Sequence, residues 1–240
     1  MLSKTKRLLG IVLVLIIAGA IVPDVAVHNV YALEEGGYVY NHGEDRFKSN
    51  VYNFLKHFSY EQYYWAQYYM FTKYNDYYVD AMDFAYYSGH GNNWYIGMGP
   101  GAVSPRGVNL RYPGDGYGDN DLEFIVFQSC KVIPSPRDTS DWARPWYTAF
   151  NRLHQAMGYR TVSYSGNGIS NNFGSRIRAN QMVWQAWFKA VNDERSWWRG
   201  SFYPGYACAI MHPTVKYDRY YNVYPDPPAG STWFWIVYQY

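Results

Sequence analysis

The sequence predicts an α/β domain with a mostly parallel central sheet and helices on both faces. Two observations carry this. Apolar segments of strand length alternate with amphipathic segments of helical period, the pattern of a layered α/β fold. Residues 122–127 (LEFIVF) form an apolar run with little polar alternation, as in a strand covered on both faces. A chain of 240 residues, 48% of them apolar, can bury a sizeable core and is not a disordered chain.

The elements follow in chain order. Lys4, Lys6 and Arg7 precede an apolar run over residues 8–22, followed by Pro23. That run is too short to span a hydrocarbon core of about 30 Å as a helix. It reads as a secretion signal cleaved after Ala32, with an uncleaved anchor as the alternative. Residues 33–240 then form one domain, placed outside the cytoplasm, secreted or at the cell surface. Ser59-Tyr60-Glu61-Gln62 matches a helix capping box, which predicts a helix over residues 63–74. Residues 82–87 read as a strand stopped by Gly89, and the Gly- and Pro-rich residues 91–121 as loop or short hairpin.

Trp142, Trp146, Phe150, Leu153 and Met157 fall on one helical stripe, with Pro145 in the first turn and Gly158 as a stop. Residues 160–164 read as a strand. Residues 175–191 read as a second helix with Val183, Ala186, Trp187, Ala190 and Val191 on one face. Residues 206–211 and 233–238 are late strands.

Charge and cysteine content exclude some classes. The formal charge is +2; setting aside Lys4, Lys6, Arg7 and Asp24 from the 21 basic and 19 acidic residues leaves 18 of each. A balanced chain is not a general nucleic-acid binder. Two cysteines cannot build a four-cysteine zinc site, and His42, His57 and His212 show no ligand spacing, so no metal site is expected. Asp115, Asp119, Asp121 and Glu123 offer hard oxygen ligands for Ca²⁺, but without EF-hand spacing a solvated acidic loop is the simpler reading.

Two motifs carry chemistry. Ser88-Gly89-His90-Gly91 follows one predicted strand and Gln128-Ser129-Cys130 follows another. Ligand sites in open α/β sheets lie at the carboxyl ends of strands. A thiol with a pKa of about 8.5 needs a partner to act as a nucleophile at neutral pH. An imidazole can take its proton and later protonate a leaving amine. The N–H groups of Gly91 and Cys130 are the natural donors to a tetrahedral oxyanion.

At these residues the chain resembles the caspase-like cysteine peptidases (caspases, metacaspases, gingipains, legumains). Tyr87-Ser88-Gly89-His90-Gly91 is closest to the metacaspase and gingipain versions, and Gln128-Ser129-Cys130-Lys131 resembles the caspase cysteine motif. The resemblance implies a caspase-like three-layer sandwich and a secreted hydrolase of peptide or protein substrates. It implies His90 as general base and acid, Cys130 as nucleophile, and the Gly91 and Cys130 amides as oxyanion hole. Gln128, two residues before the nucleophile, falls where the family lines its specificity pocket; Trp94 is added as a pocket candidate by proximity. Two features depart from the pattern: no glycine follows Cys130 closely, and the connection after His90 is rich in Gly and Pro.

Rival readings stand beside this one. A Cys130–Cys208 disulfide would remove the nucleophile and leave an inactive binding module. An aromatic share of 21% also suits a surface protein recognising peptide or carbohydrate. Tyr60, Tyr63, Tyr64, Tyr68 and Tyr69, or Trp197 and Trp198, would line its groove, although helical spacing favours packing for the tyrosine set. His154, on the Trp142 stripe, reads as a packed or capping histidine.

Overall fold

The computed structural model describes residues 33–40, 45–98, 107–163, 166–197 and 205–240. The secretion signal read over residues 1–32 lies outside them, as does Trp198. Strand β1 (Glu35–Val39) leads to helix α1 (Asp45–Leu55) and strand β2 (Glu61–Trp65). Strand β3 (Phe84–Ser88) is followed by three short strands, β4 (Gly91–Asn92), β5 (Tyr95–Gly97) and β6 (Gly107–Asn109). Then come β7 (Phe124–Gln128), a single turn α2 (Trp146–Ala149), β8 (Gln155–Tyr159), α3 (Asn167–Arg178), α4 (Val183–Trp197), β9 (Ala207–Met211) and β10 (Trp235–Tyr238).

Seven strands form one sheet in the order β10-β9-β8-β7-β3-β1-β2, while β4, β5 and β6 form a separate antiparallel sheet. Strands β2, β1, β3, β7 and β8 are mutually parallel, and β9 runs antiparallel to both its neighbours. β1, β3, β7, β8 and β9 are buried at every position, which explains the apolar runs of β7 and β9.

Each face of the large sheet is covered. On one face α1, α3 and α4 pack Phe47, Val51, Phe54, Phe173 and Trp187 against Phe84, Tyr86, Phe124 and Val126. On the other, Trp94, Ile96, Val108, Trp146 and Phe150 cover Tyr87, Ile125, Phe127 and Ala156. The α/β class and the parallel sheet are therefore as expected. The even covering by helices is not: the second face carries the small sheet and short turns, with α2 as its one α-helical turn among the described residues.

Three further expectations are corrected. Residues 63–74 are not a helix. They continue from β2, whose exposure alternates along Glu61–Trp65, into one-turn 3₁₀ segments at Tyr68–Phe71 and Asn75–Tyr77. Tyr-Tyr-Trp favours a pleated strand, and Tyr64 stacks on Tyr38 of β1 with ring centroids 5.3 Å apart. The stripe from Trp142 to Met157 breaks after α2. Arg152 sits at φ 79, Phe150 bridges to Tyr117, and Met157 lies in β8, five residues earlier than the strand expected at 160–164. The helix expected over 175–191 is two helices, turned at Asn180 with φ 55. Its apolar face, Val183 through Val191, is buried as expected.

The chain leaves β1 through α1 on one face to reach β2, then crosses back over the other face to β3. The sheet order reverses there, which puts the topological switch point at the carboxyl ends between β1 and β3. Among the described residues no helix is long and apolar enough to cross a membrane.

Candidate functional site

β3 and β7 are adjacent and parallel, with Ser88 paired in register with Gln128. His90 and Cys130 each lie two residues beyond that pair. Two motifs separated by 40 positions in sequence therefore emerge from the same rim of the sheet, side by side. Neighbouring strands are about 4.8 Å apart, so the backbones of the two motifs leave the sheet side by side.

The two segments also touch. The Gly89 N–H donates to the Gln128 carbonyl at 3.5 Å, and the Trp94 N–H to the Val132 carbonyl at 3.3 Å. A Cβ on Gly91 would overlap the Ser129 hydroxyl and lie 2.8 Å from the Tyr95 carbonyl oxygen. Glycine is thus demanded by the close approach of the His90 strand to the Cys130 loop.

His90 is exposed at the switch point. Its ring meets the edge of Tyr40, just after β1, at 5.2 Å and of Phe47 in α1 at 5.1 Å. The Tyr87 hydroxyl donates to the His90 carbonyl at 3.1 Å and to the Gly97 carbonyl at 2.5 Å. Backbone and ring are therefore both held.

Cys130 is half-buried. The Ser163 N–H approaches its sulfur at 3.4 Å, and the Ser163 carbonyl at 3.5 Å accepts from the thiol. The turn that carries it is left-handed at Lys131, with φ 56. The Lys131 N–H donates to the Thr161 carbonyl at 3.0 Å, and the Ile133 N–H to the Tyr159 carbonyl at 3.2 Å. Further along the same loop, Asp138 clamps Arg160 and the Ser135 hydroxyl at 2.7 Å each.

The backbone N–H groups of Gly91 and Cys130 are not used in the sheet ladders. The Gly97 N–H donates to the His90 carbonyl at 2.8 Å, which makes Gly91 and Ile96 a non-hydrogen-bonded pair. β4 is the edge of its sheet, so the Gly91 N–H points away from that sheet. Among the described residues no backbone carbonyl accepts from the Cys130 N–H.

The two pocket candidates are not open walls. Gln128 is 2% exposed; its Oε1 accepts from the Tyr86 hydroxyl at 2.7 Å and its Nε2 donates to the Gly166 carbonyl at 3.3 Å. Trp94 is buried beneath the Arg111 guanidinium, 4.4 Å from its ring centroid.

Both cysteines are free. Cys208 is fully buried, and burial pushes its thiol well above the usual range. The acidic stretch expected as one solvated loop divides in two: Asp119 gathers with Asp76 and Asp80, while Asp121 and Glu123 gather with Asp83. The exposed Tyr63 and Trp65 lie on the edge strand β2, not on a helix.

This is an α/β protein whose sheet rim brings a histidine and a free thiol out on adjacent strands. The chain belongs to the DUF6345 family, described as a domain of unknown function, whose model matches residues 34–238. No curated protein matches it.

Proposed function

We propose that this chain is an extracytoplasmic cysteine peptidase of the caspase-like type. The reading rests on one observation above the others: His90 and Cys130 occupy equivalent positions beyond the Ser88–Gln128 register pair. Adjacent strand ends at the carboxyl rim of an α/β sheet, next to the switch point, are where an imidazole and a thiol can share one site.

In this mechanism His90 takes the Cys130 proton and the thiolate attacks the scissile carbonyl carbon. The resulting oxyanion is met by the Gly91 and Cys130 N–H groups. The intermediate collapses as His90 protonates the leaving amine, giving a thioester on Cys130. Water, deprotonated by His90, then attacks the thioester and releases the carboxylate product and the free thiol. The Ser163 N–H lies 3.4 Å from the sulfur and helps to fix its position. Gln128 acts from below the site through the Tyr86 and Gly166 contacts and selects no charged substrate side chain. The basic and apolar start of the chain, read as a secretion signal, supports delivery outside the cytoplasm.

The test is covalent labelling by an electrophilic peptide probe. Cys130→Ala is expected to abolish labelling, and His90→Ala to slow turnover by about 10²–10⁴ while leaving the circular dichroism spectrum intact. Labelling that persists in Cys130→Ala would refute the assignment.

A second reading draws support from the burial of Gln128 and Trp94: a caspase-like binding module without a formed specificity pocket. Binding of a peptide or glycan unaffected by Cys130→Ala, with no hydrolysis, selects that reading.

A further inference from the structure

β2 ends the large sheet, and among the described residues no other strand pairs with its outer side. Two hydrogen bonds fix which backbone groups face outward. At one end the Glu35 N–H donates to the Tyr60 carbonyl at 3.3 Å; at the other the Ala66 N–H donates to the Val39 carbonyl at 2.9 Å. Both join the β2 segment to β1 through even-numbered residues. Backbone groups alternate sides along a strand, so the N–H and C=O groups of Gln62 and Tyr64 also face β1. Those of Glu61, Tyr63 and Trp65 face away from the sheet.

The side chains follow the same alternation. Glu61, Tyr63 and Trp65 are exposed on one face, while Gln62 and Tyr64 are half-buried on the other. Tyr63 and Trp65 meet edge to face, with ring centroids 5.8 Å apart. Native sheet edges are usually blunted by proline, lysine or a bulge. The sequence EQYYW holds no proline and no lysine, and its register with β1 runs unbroken from Glu61 to Trp65.

This edge is complementary to itself. An antiparallel copy centred on Tyr63 sets Tyr63 against the partner's Tyr63, and Glu61 against the partner's Trp65. Every outward-facing residue then falls in a hydrogen-bonded pair, and no outward N–H or C=O is left over. Charge matches as well. Lys48 of α1 holds its ammonium 5.2 Å from the Trp65 ring centroid, with Asp45 at 3.3 Å. Directly opposed residues have Cβ atoms about 4.5–5.5 Å apart, so the partner's Glu61 comes within reach of Lys48, and the symmetry repeats the contact. The opposite edge, β10 (WIVY), contains no charged residue that would fix such a register.

We propose that two copies of this chain pair through β2, antiparallel and two-fold symmetric about Tyr63, into a dimer with one continuous sheet. An isologous contact of this kind closes on itself and stops at two copies. The backbone bonds supply the attraction, Tyr63 and Trp65 of both copies form a shared aromatic cluster, and Glu61 and Lys48 set the register. A foreign extended peptide can add to any open edge, but only a second copy brings Glu61 and Lys48 together twice. The pairing uses neither His90 nor Cys130 and stands independently of the peptidase reading.

The test is sedimentation velocity on the purified chain. A reversible monomer–dimer equilibrium with Kd on the order of 10 µM is expected, as for a small interface. Tyr63→Pro removes one outward N–H and leaves the ladder to β1 whole, a change that edge strands tolerate. It is expected to keep the circular dichroism spectrum and to raise Kd at least about tenfold. Glu61→Lys is expected to do the same by facing the partner's Lys48. Adding Lys48→Glu to it should restore Kd to within about threefold of the parent value, a rescue that a purely structural role for either residue would not give. A chain that stays monomeric up to about 200 µM, well above that Kd, would overturn the proposal even if β2 then bound an added peptide. So would a Kd unchanged in both Tyr63→Pro and Glu61→Lys, or a double charge variant that pairs no better than Glu61→Lys alone.

Discussion

Cys208 lies level with Phe127, two strands away, because Cys208 pairs with Gly158 and Gly158 with Phe127. Cys130 is three residues further along β7. Two strand spacings alone separate the two columns by about 10 Å, beyond the Cα separation a disulfide can bridge. The fold itself therefore keeps the sulfurs apart, even in an oxidising compartment. Two free thiols are expected in the denatured, unreduced protein. In the native state Cys130 is expected to react with a thiol reagent and buried Cys208 to remain protected. A denatured thiol count of zero would show a disulfide and sink the proposed role of Cys130.

Gly91 is the tightest joint between the two motifs. An added methyl group would overlap the Ser129 hydroxyl and press on the Tyr95 carbonyl, and backbone atoms cannot rotate aside. Gly91→Ala is therefore expected to destabilise the fold by about 1–3 kcal/mol, the usual cost of overpacking. It also shifts the His90 strand against the Cys130 loop, so labelling of Cys130 by a peptide electrophile should slow by more than the loss of folded protein accounts for. Urea denaturation and labelling rates on the same sample separate the two effects.

What was legible in the sequence was local. The strands before His90 and Cys130 show as apolar runs ending in polar motifs, and both motifs sit where those runs predict. β1 was invisible because its sequence, EGGYV, holds two glycines. A Cβ on Gly37 would lie 2.6 Å from Leu55 Cδ1 and would also overlap Val51, so glycine is there to let α1 seat on the strand, and it erases the apolar pattern. The stripe from Trp142 to Met157 misled because residues at helical spacing entered the core from α2, from the turns around it and from β8. The open edge of β2 could not be seen at all, since only the strand order shows which strand ends the sheet.

Asp138 gives the cysteine loop a dependence on pH. Partial burial raises its carboxyl, but the Ser135 hydroxyl and amide and the Arg160 guanidinium outweigh this and hold it below the usual range. A depressed native pKa contributes stability that is full above the unfolded value, about pH 4, and is lost as pH falls through the native value. Asp138→Asn is expected to cost about 0.5–1.5 kcal/mol at pH 7, a hydrogen-bonded carboxylate discounted for solvent screening of an exposed group. The difference from the parent protein should shrink towards zero as pH drops below about 4. Denaturation at a series of pH values checks this, and a gap that stays constant down to pH 2 would show that the charge is not what holds the loop.

Lys131 turns the chain immediately after Cys130, with φ 56. A left-handed residue with a side chain costs about 1–2 kcal/mol, which glycine escapes at the expense of a more flexible unfolded chain. The two effects nearly cancel, so Lys131→Gly is expected to change stability by less than about 1 kcal/mol and to leave Cys130 labelling intact. Lys131→Val should behave differently, because a β-branched side chain is a genuine outlier in this region. That variant is expected either to lose about 1–3 kcal/mol or to flip the turn. A flipped turn would break the Lys131–Thr161 bond and carry the Cys130 sulfur away from the Ser163 amide. Labelling of Cys130 in the valine variant should then fall while the circular dichroism spectrum stays unchanged. Equal labelling rates for the parent protein and both variants would mean that this turn does not position the thiol.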